Sequence, residues 1–397
     1  MQIGIVGKPN VGKSTFFNAA TDAHAEIANY PFTTIDANQG VMFVRKPCPC
    51  KEFDLTCTPH NSKCENGTRF VPIEALDVAG LVPDAHKGKG LGNKFLDDLR
   101  QAHALIHIVD ASGSTDEEGN PCEIGSHDPI KDVDFLEKEI NFWLFGIIKK
   151  SWEKISRQSE MEGKKIERML SDQLTGLGIK EEHILGAFKK INLDSSKPSH
   201  WTDDELLKLT DFVRSLSKPI IIAFNKCDKA PDSLMSKMDD LKNLIVIPTS
   251  AESELALTNA SEKGLIDYVP GSNDFFILNS EDISENQIKA LDYIKSHVLV
   301  KYGSTGIQKC IEAAVKMLDL IVVYPVEDDH HLTDKEGRIL PDAHLIPRGS
   351  TAKDLAYKVH TDLGDHFIRA IDARTHRVIG SDHILKDGDV ISIIANA

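Results

Sequence analysis

The first twenty residues impose a local geometry that few folds accommodate. Residues 1–6 form a short apolar run, Gly7-Lys8-Pro9-Asn10-Val11-Gly12-Lys13-Ser14 follows at once, and Ser14-Thr15-Phe16-Phe17-Asn18-Ala19 reads as the start of a helix. A G-x-x-x-x-G-K-[ST] pattern between a strand and a helix describes a phosphate-binding loop. Its glycines let the backbone curl so that N–H groups face phosphate oxygens at a helix N-terminus, where the dipole favours anions. Gly7, Asn10, Val11, Gly12, Lys13, Ser14 and Thr15 are therefore nucleotide-binding candidates. Lys13 would reach the β- and γ-phosphates, and the Ser14 hydroxyl would ligate Mg²⁺.

Later segments specify which nucleotide. The apolar residues 71–78 lead into Asp77-Val78-Ala79-Gly80, a D-x-x-G arrangement. Asp77 would hold Mg²⁺ through water, and the Gly80 N–H would contact the γ-phosphate. Pro219-Ile220-Ile221-Ile222-Ala223-Phe224 reads as a buried strand ending in Asn225-Lys226-Cys227-Asp228, an N-K-x-D sequence. The Asp228 carboxylate would accept from guanine N1–H and the exocyclic amine. Adenine offers neither donor there, so it would leave a desolvated charge unpaired. A further strand at residues 244–247 leads to Thr249-Ser250-Ala251, where the backbone at Ser250 and Ala251 would read the guanine carbonyl. Between the first two motifs, Pro31-Phe32-Thr33-Thr34 supplies the Mg²⁺ switch threonine, with Thr34 the first choice and Thr33 the second.

With these motifs in place, the chain resembles the Obg-like GTPases, and within them the YchF-related archaeal and fungal branch. The matching stretches are the phosphate loop through Thr15, Asn29-Tyr30-Pro31-Phe32-Thr33-Thr34, Asp77-Val78-Ala79-Gly80-Leu81-Val82 and Gly88-Lys89-Gly90-Leu91-Gly92-Asn93. Its YchF relatives often carry a degenerate base motif and prefer ATP, whereas the intact Asn225-Lys226-Cys227-Asp228 argues for GTP. Leu81 stands where Ras-type GTPases have a water-orienting glutamine, so turnover is expected to be slow without a partner. Two residues are candidate catalytic substitutes beside Lys13, Thr34 and Gly80. Asn10 occupies the position that ligates K⁺ in several relatives, and His86 would reach the γ-phosphate in a closed state, against the plainer reading of an exposed loop histidine.

Bulk properties narrow the class further. The formal net charge of −15 argues against indiscriminate nucleic-acid binding unless a local basic patch exists. No charged-then-apolar leader, lipidation signal or apolar run of about twenty residues is evident, so a cytoplasmic protein with no membrane partner is expected. A monomer is the default expectation. Seven cysteines, an odd number, point to reduced thiols. Four of them, Cys48, Cys50, Cys57 and Cys64, cluster in a polar segment and would suffice for a tetrahedral Zn²⁺. Their C-x-C-x₆-C-x₆-C spacing is not a standard zinc-finger pattern and the GTPase chemistry does not require it. Thiols without metal are the default reading, and zinc stays open.

Residues 135–154 and 164–174 carry apolar side chains at three- and four-residue intervals, and Thr202 with Glu205 forms a capping box for a helix over 203–215. This is a helical insertion, resembling the helical hairpin of YchF relatives. Near the C-terminus, residues 320–323, 367–371 and 390–394 read as strands, and Thr351 with Asp354 caps a helix. That arrangement resembles the TGS domain, a β-grasp module whose presence implies RNA or protein binding.

The expected fold is thus an α/β phosphate-loop sheet with a helical insertion and a C-terminal β-grasp domain. The expected division is a nucleotide domain over 1–125 and 217–314, the insertion over 126–216 and the β-grasp domain over 315–397. The expected activity is a slow Mg²⁺-dependent GTPase switch cycling between GTP and GDP, with the ribosome, RNA or a ribosomal protein as partner. A nucleotide-gated scaffold with incidental hydrolysis, a phosphate-loop ATPase and a metabolic kinase are the alternatives.

Overall fold

The computed structural model describes residues 1–21, 38–78, 80, 92–191, 193–279 and 283–396. Thr33, Thr34, Leu81 and His86 lie outside them. The chain divides into two compact units, one of residues 1–19 and 76–310 and the other of residues 20–75 and 311–397.

The chain opens with β1 (Gln2–Val6) and α1 (Lys13–Thr21). Next come β2 (Gln39–Pro47), β3 (Lys63–Glu65) and β4 (Thr68–Asp77). After α2 (Gly92–Gln101) runs β5 (Ala104–Asp110), every residue of which is buried. Such continuously buried, mostly apolar runs mark parallel strands covered on both faces. The insertion follows as α3 (Pro129–Glu162), α4 (Ile166–Leu174), α5 (Glu181–Ile191) and α6 (Asp203–Ser217). Then come β6 (Ile220–Asn225), the short α7 (Asp232–Met235), β7 (Ile245–Pro248) and α8 (Ala251–Glu262). In the first unit β1, β5, β6 and β7 are successive parallel neighbours. On the other side of β1, the chain leaving β4 is anchored by the Val78 N–H donating to the Ile5 carbonyl at 3.1 Å.

The long α3 begins earlier than its apolar periodicity suggests. Asp128 caps it by accepting from the Ile130 N–H, Pro129 fills the first turn, and Gly163 ends it in the left-handed region. Val133, Leu136, Ile140, Leu144, Ile148 and Trp152 recur at three- and four-residue steps on its buried stripe. Trp152 stacks on Trp201 with centroids 5.3 Å apart. The Thr202–Glu205 capping box of α6 is formed reciprocally.

A small ribbon of β8 (Ile266–Asp267) and β9 (Phe276–Ile277) precedes α9 (Glu285–Ile294), a π-helical turn and α10 (Val300–Tyr302). Leu257 of α8, Ile266 of β8, Leu291 and Ile294 of α9 and Val298 of the π-helical turn share an apolar cluster.

Past α11 (Ile307–Met317), the second unit holds β10 (Leu320–Val326), β11 (His344–Pro347), α12 (Ala352–Val359), α13 (Thr361–Asp365), β12 (Phe367–Asp372), β13 (Arg377–Ile379) and β14 (Val390–Ala395). The strand order β11-β10-β14-β12-β13, with β10 and β14 parallel, is a β-grasp sheet. Leu355, on α12, packs with Ile321, Val323 and Ile391, and Thr351 and Asp354 cap that helix reciprocally.

One strand residue gives the fold a pH signature. His107, in the middle of β5, is 3 % exposed, and burial together with the charge of Lys8 pushes its imidazole down to about 3. Below roughly pH 6.5 the unfolded chain takes up a proton that the folded protein refuses. Stability is therefore expected to fall as the pH drops from about 6.5 towards 3. His107→Leu should flatten that part of the profile in urea titrations; an unchanged slope would assign it to other groups.

Candidate functional site

The phosphate loop leaves β1 at Val6 and enters α1 at Lys13, where the Phe16 N–H donates to Gly12 O at 2.9 Å and starts the helical ladder. Two glycines are required by contact. A Cβ on Gly7 would stand 2.7 Å from the Ile108 carbonyl, and one on Gly12 would stand 2.4 Å from Asn225 Nδ2. Gly12 also has φ near +92°, and Asn10 sits in the left-handed region at +63°, which asparagine tolerates better than most residues. Val11 is fully buried and Ser14 is exposed in the first turn of α1. The Lys13 ammonium pairs with the Asp77 carboxylate at the end of β4. Gly80 lies against the loop, with its Cβ position 3.8 Å from Gly7 O and from Pro9. The phosphate-loop lysine, the D-x-x-G aspartate and its glycine therefore converge.

The N-K-x-D segment converges on the same loop. Asn225 ends β6; its Nδ2 donates to Val11 O at 2.9 Å and its Oδ1 accepts from the Ala251 N–H at 3.1 Å. Lys226, at φ near +61°, donates to Asn10 O at 3.0 Å and to Asp110 Oδ2 at 2.9 Å. Asp228 accepts from the Ser250 hydroxyl at 2.8 Å. One asparagine thus joins the phosphate loop to the segment that starts α8, and Ser250 orients the Asp228 carboxylate. The Ser250 N–H donates to Thr305 O at 2.9 Å, so both backbone donors at 250 and 251 have protein partners here.

Several participants carry no recognisable motif. Asp110, fully buried at the end of β5, accepts from the Ser112, Ser114 and Thr115 hydroxyls as well as from Lys226. Burial alone would push its carboxyl up, but these hydrogen bonds outweigh it and hold the group below the ordinary range. Lys8 is 5 % exposed; it donates to the Thr115 and Asp116 carbonyls and pairs with Asp132 in the first turn of α3 at 2.7 Å. Asn10 Nδ2 donates to Gly119 O at 2.9 Å. The loop after β5 is thereby fastened to the phosphate loop, and through Asp132 the insertion is as well. From the other side, Tyr293 donates to Asp228 O at 3.0 Å and Tyr302 to Cys227 O at 3.2 Å, so α9 and α10 brace the base motif. An aspartate closing a fully buried strand was the one sequence signal for Asp110.

The residues fit a nucleotide with Mg²⁺: Lys13 opens α1 at the end of the phosphate loop, and Ser14 and Asp77 offer the oxygen ligands that a hard cation takes. A fold of this kind with these motifs defines a phosphate-loop GTPase. Family models match in three places: a 50S ribosome-binding GTPase over residues 2–139, an Obg-like GTPase domain of the YGR210-like type containing the G4 motif over 223–328, and a TGS domain over 333–395. An uncharacterized GTP-binding protein of Methanocaldococcus jannaschii is 52% identical over 100% of this chain and 99% of its own length. The ribosome-binding ATPase YchF of Buchnera aphidicola is 28% identical over 99% and 98%. Among solved structures, a GTP binding protein from Pyrococcus horikoshii OT3 is 40% identical, covers 100% of both chains and superposes with a TM-score of 0.76. The chain belongs to the Obg-like, YchF-related GTPases with a C-terminal TGS domain.

Proposed function

We propose that this protein is a Mg²⁺-dependent switch that binds GTP and hydrolyses it to GDP and phosphate, slowly when alone, in translation or ribosome assembly. The observation that carries the reading is the Asp228 carboxylate, oriented by Ser250 on a segment that Asn225 ties to the phosphate loop. That carboxylate matches the two donors on the guanine edge and rejects adenine. The chain's own groups divide the work. Lys13 exchanges Asp77 for phosphate oxygens, the 7–15 backbone cradles the phosphates, and the Gly80 N–H senses the γ-phosphate. Ser14, Asp77 and Thr34 would hold Mg²⁺, which would supply positive charge to neutralise the phosphates. Any K⁺ role at Asn10 would fall to its Oδ1, the amide's acceptor atom, which the Nδ2 donation to Gly119 O holds in place.

The match to a 50S ribosome-binding GTPase family and the similarity to a ribosome-binding ATPase of Buchnera support the ribosome as partner. That relative is called an ATPase, whereas Asp228 favours guanine here. Co-sedimentation with ribosomes in GDP, and in a non-hydrolysable GTP analogue, tests the process. Pelleting with the analogue alone is expected; absence in both states, with nucleotide binding confirmed, would overturn the ribosome assignment. Lys13→Ala should lower hydrolysis by at least about 100-fold. If ribosome binding by that variant stayed nucleotide-dependent and the protein kept its cellular role, the chain would be a gated scaffold.

A further inference from the structure

We propose that Cys48, Cys50, Cys57 and Cys64 bind one structural Zn²⁺. The four sulfur atoms all lie within 4.8 Å of one another, with Cys48 Sγ 3.9 Å from Cys57 Sγ and Cys50 Sγ 3.9 Å from Cys64 Sγ. A zinc–sulfur bond of about 2.3 Å in a tetrahedral site sets the sulfur–sulfur edge at about 3.8 Å. A disulfide would require about 2.05 Å, so neither pair is bonded. The spacing in sequence conceals this convergence because the ligands come from different elements. Cys48 directly follows β2, Cys50 lies in the 3-10 turn Pro49–Lys51, Cys57 is in the loop beyond it, and Cys64 is the middle residue of β3. The Cys48 N–H donates to Gly67 O at 2.8 Å, which draws the β3–β4 turn back to the end of β2. Cys48 and Cys50 are each only 5 % exposed.

An independent observation indicates a negatively charged occupant. Arg69 is completely buried and stands directly across the β3–β4 pair from Cys64, on the same face of the ribbon. Its Nη2 donates to the Leu340 and Pro341 carbonyls and its guanidinium lies over the Tyr324 ring, while Nε and Nη1 have no hydrogen-bond partner among the described residues. Among the described residues none of its partners is a carboxylate. Four neutral thiols would leave this buried cation without a counter-charge, which is expensive. Four thiolates around Zn²⁺ carry a net charge of −2 and supply it. Loading is balanced by release of the thiol protons to solvent as each sulfur coordinates the metal.

With four protein ligands the site is closed, which makes it structural and leaves no position for a reacting water. Its role follows from what the loop holds. The Thr58 N–H donates to Ile339 O at 2.9 Å, the His60 N–H to Pro341 O at 2.7 Å, and Asn61 exchanges two hydrogen bonds with the Ala343 backbone. Upstream, Glu52 is clamped by Arg374, whose Nε and Nη2 donate to it at 2.8 and 2.9 Å. Zinc therefore shapes the loop that laces residues 48–64 onto the β-grasp sheet.

The test uses the full chain, expressed with zinc, kept reduced and purified without chelators, with GTP binding measured on the same sample to keep this question separate from the nucleotide one. About one zinc per chain is expected by elemental analysis. Replacement of the metal by Co²⁺ should give the visible bands of a tetrahedral thiolate site. Cys57→Ser should lose stoichiometric zinc and change the cobalt spectrum, whereas Cys122→Ser should keep both. Wild-type protein that binds nucleotide yet shows neither metal nor cobalt bands would overturn the proposal. So would a mapped pair of disulfides, or a cobalt spectrum without thiolate character.

Discussion

Asp228→Asn should exchange the nucleotide preference of this protein. The substitution replaces one carboxylate oxygen, an acceptor, with an amide that donates. Two charge-assisted hydrogen bonds to guanine would be lost, each worth about 1.5–3 kcal/mol, so GTP affinity should fall by at least about 100-fold. Xanthine presents a carbonyl where guanine presents an amine, and XTP should bind the variant better than GTP does. The fold should survive, because the Ser250 hydroxyl that now donates to Asp228 Oδ1 can donate equally to an amide oxygen. Competition titrations with GTP, ATP and XTP measure the effect. Unchanged GTP affinity in the variant, or equal affinity of the wild type for ATP, would remove Asp228 from base recognition and move the protein to the ATPase class.

The second large effect is expected at Gly12. An alanine methyl would stand 2.4 Å from Asn225 Nδ2 in a backbone region, φ near +92°, that L-residues rarely occupy. Asn225 is the end of a side chain and can move, but moving breaks its bonds to Val11 O and the Ala251 N–H. Strain and the loss of these buried hydrogen bonds each cost about 1–3 kcal/mol, so a destabilisation on the order of 3 kcal/mol is expected. Nucleotide affinity should fall with it, since the phosphate loop and the base motif share that asparagine. Urea denaturation of Gly12→Ala beside Asn225→Ala checks the coupling. If the two losses add fully in the double variant, the contact between them is not what matters.

How much of this was readable beforehand differs between elements for physical reasons. The strand read over residues 219–224 falls within a residue of Ile220–Asn225 because a strand buried on both faces is a near-continuous apolar run. Both capping boxes, Thr202–Glu205 and Thr351–Asp354, were legible because their partners are three residues apart. α3 starts before its periodicity does, since Asp128 and Pro129 set its first turn by capping while the apolar steps strengthen only from Phe135. Glu181–Ile191 escaped notice because Gly186 lowers its helix signal, and Gln39–Pro47 because only its middle residues Phe43 and Val44, with Met42, are buried. The phosphate-loop, D-x-x-G and N-K-x-D segments were legible as motifs, whereas the contacts that Lys8 makes to Asp132, Lys226 to Asp110, and Tyr293 and Tyr302 to the N-K-x-D backbone were not.

The sequence alone determined the family and the nucleotide motifs, because phosphate cradling and base reading each need a fixed residue type at fixed short spacing, and that requirement is written in order along the chain. Only the tertiary structure decided what joins those motifs. Asn225 reaches Val11, Lys8 reaches Asp132, and four cysteines meet around one point beside the buried charge of Arg69. These contacts depend on which strands become neighbours and on how loops between them return, and no local spacing encodes the distance between two sulfur atoms carried by different elements.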